Sequence, residues 1–145
     1  MPKPWLSKSA ATLRAQIDAA FPHRDKQSDG WIGDARHEAR QSDHNPDSTG
    51  CVRAIDIDRD LLGAGVRPDY APDLADQLRL AAKSDKRKRI TYIIFQGQIA
   101  SPILFWKWRP YKGVNAHQHH IHISFAESAD QDTSSFEIPL LKGNE

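Results

Sequence analysis

Apolar residues recur along this chain with two different periods. Between residues 9 and 21, Leu13, Ile17, Ala20 and Phe21 return at helical spacing, with Arg14 and Asp18 on the other side. One apolar stripe and one polar face predict an amphipathic helix, and Pro22 ends it. A second stripe, Leu74, Leu78 and Ala81/Ala82, predicts a helix opened by Pro72 and running to about Ser84. Elsewhere the period is two. In residues 51–58, Val52, Ala54, Asp56 and Asp58 share one face, and Ile55 and Ile57 share the other. Residues 90–96 are β-rich, and a short strand at about 98–100 follows Gly97. Residues 120–125 alternate again, so His120, His122 and Ser124 lie on one face.

The intervening stretches are loops. Residues 23–34 carry two glycines and many polar groups, and Asp34 can cap a short helix at 35–41 bearing Arg36, His37 and Arg40. Asn45-Pro46 and the Ser/Thr/Gly cluster after it make 42–50 turn-rich, and 61–69 is a Gly/Pro-containing connection. Phe105, Trp106, Trp108 and Tyr111 either line a groove or cover the core. Beyond Phe125 the chain is polar until an apolar patch at 136–141, which is expected to dock on the body. This order of elements predicts an α+β fold, a small, mostly antiparallel sheet with flanking helices.

A chain of 145 residues is expected to form a single domain, 1–145, with 126–145 as a C-terminal tail. The net charge of +1 argues against nucleic acid or an anionic membrane as partner, and a monomer is expected. No signal peptide is visible, because no long apolar stretch follows Lys3. Cys51 is the only cysteine, so an internal disulfide and a cysteine-based zinc finger are both excluded. A metal site must draw on His, Asp and Glu.

Four of the seven histidines fall within residues 117–122. Imidazoles spaced i, i+2 on a strand point the same way, and a neutral imidazole is a good zinc ligand. Asp56 and Asp58 lie opposite the isoleucine layer, where a carboxylate is costly unless paired or metal-bound. His44, Asp56 and His122 form a sufficient zinc set, with Asp58 in reserve. His120 and His117 can stand near such an ion without binding it, and Arg36 or Arg40 can hold a substrate carboxylate. Metal-assisted hydrolysis of an amide or ester is the favoured reaction.

At these residues the chain resembles a known family. Ser42-Asp43-His44 followed by Ala54-Ile55-Asp56 looks like the Ser-x-His and Ala-x-Asp signature of the zinc D-alanyl-D-alanine carboxypeptidases and L-alanyl-D-glutamate endopeptidases. His120-Ile121-His122 looks like their closing His-x-His strand, and His117 matches an upstream histidine of some members of the wider group. The phrasing is most similar to peptidase domains of phage lysins, over roughly residues 13–125. The resemblance implies a hedgehog/D-Ala-D-Ala peptidase-like fold with zinc (Zn2+) on the sheet face, ligated by His44, Asp56 and His122. It implies catalytic roles for His120 and His117, beside Arg40 as a further catalytic candidate, with the peptidoglycan stem peptide as substrate. It also implies action on the bacterial cell wall after accumulation in the host cytoplasm. Val52 stands where the family has a glycine, and 45–51 looks like an insertion. His119 stands where many members have an acidic general base, which leaves His120, His117 and His119 as candidates for that role. Two other readings remain: a metal-dependent nuclease using Asp56, Asp58 and the 86–89 basic run, and a non-catalytic zinc-binding domain.

Overall fold

A computed structural model describes residues 3–31, 43–113 and 117–142. The expected helix at 35–41, with Arg36, His37 and Arg40, lies outside the described residues. The described elements run β1 (Trp5–Leu6), α1 (Lys8–Ala20), β2 (Cys51–Val52), β3 (Ala54–Asp58), α2 (Ala71–Ser84), β4 (Ile90–Phe95), β5 (Gln98–Ala100), β6 (Arg109–Pro110) and β7 (His120–Phe125), with three short 3-10 turns. The fold is α+β. Five strands form one sheet in the order β3-β7-β4-β5-β6, and every pairing in it is antiparallel. β1 and β2 make a separate two-stranded parallel pair. None of the described helices is long and apolar enough to cross a membrane.

The last strand in sequence sits inside the sheet. β7 pairs with β3 on one side, aligning Asp56 with His122 and Asp58 with His120, and with β4 on the other, aligning Tyr92 with Ser124. Because side chains alternate, this register sorts the two faces cleanly. Ile55, Ile57, Ile93, Ile121 and Ile123 all point to one face and are fully buried. Beneath them pack Leu13 and Ile17 of α1 and Leu74 and Leu78 of α2, all fully buried. The acidic and imidazole side chains occupy the opposite face.

The expected continuous strand at 51–58 is divided at Arg53. The Arg53 N–H donates to the Asp43 carbonyl, and its guanidinium reaches Asp47 at 2.6 Å and Asp130 at 2.7 Å. Arg53 thus ties the loop ahead of β2 to the segment after β7. The Asp47 carboxylate also accepts the Thr49 hydroxyl and the Thr49 and Cys51 N–H groups. Burial pushes the Cys51 thiol up to about 12.

The residues after β7 are part of the body. Phe136, Ile138 and Leu141 are buried in the core. Gln16 of α1 exchanges two hydrogen bonds with the Phe136 backbone, and Gln77 of α2 accepts the Leu140 N–H. The arginines of the basic run are engaged here too. Arg89 stacks 3.8 Å from the Phe136 ring centroid and binds Asp85, while Arg87 reaches Asp132. The aromatic stretch is divided: Trp106 is buried in the core, Trp108 donates to Asp76, and Phe105 is 78% exposed.

Two predictions follow from this packing. Ile138→Ala should cost about 2–5 kcal/mol of stability, the range for deleting a fully buried aliphatic side chain, read from urea unfolding of the two proteins. Hydrogen bonds from Thr49, from the Cys51 N–H and from Arg53 hold the Asp47 carboxyl below the usual carboxylate range. A depressed carboxyl adds stability above its unfolded pKa of about 3.9 and loses it as pH falls through the native value. Asp47→Asn should therefore lower the urea midpoint at pH 7, and the gap between the proteins should narrow below about pH 4.

Candidate metal centre

The site is assembled by the β3–β7 register and completed by the loop that precedes β2. Asp56 and His122 are cross-strand neighbours, and the loop brings in His44. His44 Nε2, Asp56 Oδ1 and His122 Nδ1 form a triangle with all three sides 3.2 Å. His44 and His122 are each 4% exposed, so water does not disperse these charges.

The tautomers decide what the triangle can hold. His44 Nδ1 lies 3.0 Å from the Trp31 carbonyl oxygen, which only accepts, so Nδ1 carries the proton. In the neutral ring, Nε2 then presents a lone pair to Asp56. His122 Nε2 lies 2.7 Å from Ser124 Oγ and can donate there, which turns the Nδ1 lone pair into the triangle as well. Two imidazole lone pairs and a carboxylate oxygen therefore converge on one point. Such a point requires a positive charge. Ligands of a tetrahedral zinc at about 2.0–2.1 Å stand about 3.3 Å apart, close to the spacing found. The residues fit a divalent cation by donor type, spacing and the carbonyl and hydroxyl that fix each ring. A proton is the competing occupant. Burial lowers the His44 pKa, but the Asp56 carboxylate outweighs it, and the net shift is upward. Desolvation raises Asp56, yet its bonds to His122 and His44 hold it below the ordinary carboxylate range.

Behind His122 runs a second layer. Tyr92 stacks on the His122 ring, with centroids 5.4 Å apart and planes within 13°. Burial pushes the Tyr92 phenol's pKa up, with Ser124 and Asp43 near enough to act on it. His122 is thus held by Ser124 at Nε2 and by Tyr92 against its ring face. Ser124 was visible in the sequence as the next residue on the histidine face. Tyr92 and the Trp31 carbonyl were not, since only strand register and loop path bring them here.

His120 and His117 sit beside the triangle. His120 Nε2 is 3.5 Å from Asp56 Oδ1 and buried, with no hydrogen bond. Burial lowers the His120 pKa, outweighing the Asp56 charge. The His117 ring stands edge-on to those of His120 and His122, at 4.9 and 5.2 Å between centroids. Tyr111 reaches the His117 ring at 5.9 Å, and it is the one member of the aromatic stretch found in contact with these histidines among the described residues. Asp58 lies apart. It is 5% exposed, and its carboxylate accepts the Ser28 and Asp60 N–H groups, so it caps loops rather than serving as the reserve ligand. Arg40 lies outside the described residues.

No family model, curated protein or solved structure matches this chain.

Removing one of the groups that fix the ligand rings should weaken metal binding without abolishing it. Ser124→Ala should reduce affinity for a divalent cation by about 10- to 100-fold, measured by competition with a chromophoric chelator.

Proposed function

We propose that this protein is a zinc-dependent peptidase that hydrolyses an amide bond of the peptidoglycan stem peptide, in the manner of a phage endolysin. The observation that supports it most is the convergence of His44, Asp56 and His122 lone pairs on one buried point, with two further imidazoles at its edge. The peptide substrate rests on the motif resemblance. Zinc held by His44, Asp56 and His122 would polarise an amide carbonyl and acidify water near neutral pH.

The chain's own residues supply the rest. His120 is the general base: its burial-depressed pKa keeps the ring neutral at physiological pH, ready to take a proton from the attacking water. Passing that proton to the leaving nitrogen completes amide cleavage. His117 stands at right angles to His120 and donates to the oxyanion that develops on the carbonyl. Ser124 and Tyr92 keep His122 oriented. The nuclease reading draws no support from the basic run, because Arg87 and Arg89 are bound to Asp132 and Asp85.

Release of free amino groups from purified peptidoglycan, with plasmid DNA as the control polymer, tests this reading. His122→Ala should lose both zinc and hydrolysis. His120→Ala should keep zinc near one per chain and lower kcat by about 100- to 10,000-fold. Cleavage of DNA, or peptidoglycan hydrolysis that survives His122→Ala, would sink the proposal.

A further inference from the structure

The imidazoles on the sheet face come in two matched pairs with one carboxylate between them. The His44 and His122 rings lie 4.9 Å apart at 82°, and the His117 and His120 rings lie 4.9 Å apart at 90°. Ligand atoms of Asp56, His117 and His120 all fall within 4.8 Å of one another, as do those of His44, Asp56 and His122. We propose that Asp56, His117 and His120 form a second divalent-cation site, bridged to the first through the Asp56 carboxylate, and that a second zinc there silences the enzyme. The silencing rests on the peptidase reading; the site does not.

Three observations carry the site. First, a carboxylate has two oxygens with about four lone-pair positions, so one Asp56 can serve two cations. Second, His120 Nε2 is buried, makes no hydrogen bond and stands 3.5 Å from Asp56 Oδ1, the shared ligand. Third, the backbone is held in an uncommon conformation to bring His117 here. His117 has φ of 57°, a left-handed value few non-glycine residues adopt. Its carbonyl accepts the Gln96 N–H, while Arg59 binds the Gln118 and His119 carbonyls, so the turn before β7 is fixed on both sides. Backbone strain held by surrounding bonds is a mark of a functional position.

The two sites differ in strength. The first has two rings fixed by a carbonyl and a hydroxyl. The second shares its only carboxylate with an ion already bound, and two cations that close repel each other. The second zinc is therefore held more weakly, by about 10- to 100-fold. Once bound, it occupies the lone pair that His120 needs to take a proton and holds His117 away from the oxyanion.

The test is zinc stoichiometry by elemental analysis after equilibrium dialysis at rising free Zn2+, with peptidoglycan hydrolysis measured on the same samples. The native chain should pass from about one zinc to about two, and hydrolysis should fall about tenfold over the second step. His120→Ala and His117→Ala, each checked for folding by circular dichroism, should stop at one. A native chain that stays at one zinc throughout, or a folded His120→Ala that still takes two, overturns the site. Two zincs with undiminished hydrolysis overturns the silencing. Two zincs without hydrolysis at any loading supports the site and sinks the peptidase reading instead.

Discussion

The pairing of β3 with β7 is the constraint on which everything else rests. It sets Asp56 opposite His122 on one face and Ile55 opposite Ile123 on the other. A slip of β7 by one residue would drive His122 into the layer packed on α1 and α2 and lift Ile121 and Ile123 to the polar face. The apolar layer therefore fixes the register that assembles the site. Core and chemistry are specified by the same alternation, read from opposite sides of one sheet.

This coupling explains how much of the molecule was legible in the sequence. Strands were readable because Ile alternates with Asp in β3 and with His in β7, and helices because their apolar stripes are regular. His44, Asp56, His122, His120 and His117, all singled out from residue type and spacing, come together. What the period could not show was path. Arg53 interrupts an otherwise regular strand because its guanidinium joins two carboxylates from distant segments. Asp58 stood in reserve as a ligand by residue type, yet two loop N–H groups converge on it. Docking of the apolar patch at 136–141 was legible, but not that Gln16 and Gln77 would bind its backbone.

The aromatic stretch shows the same limit from another side. Four aromatic residues within 105–111 could serve a groove or a core, since composition is identical in the two cases. Packing separates them residue by residue. Trp106 goes to the core, Trp108 satisfies its N–H on Asp76, and Tyr111 turns toward His117. Neighbours in sequence part company because β6 and the preceding 3-10 turn redirect the chain over a few residues.

A sheet face that gathers a carboxylate and four imidazoles carries an electrostatic demand that the fold alone does not meet. Facing lone pairs repel, and in a buried site little water is available to separate them. Either protons or cations must enter, and each does so by binding the same atoms. The strand register is therefore stabilised by whatever occupies the triangle, and the occupant is bound only because the register exists. Folding and occupancy of the triangle become two descriptions of one equilibrium. Residues that look remote from the chemistry, such as Ile123 beneath the sheet or Ser124 behind the ring, act on the site through that link.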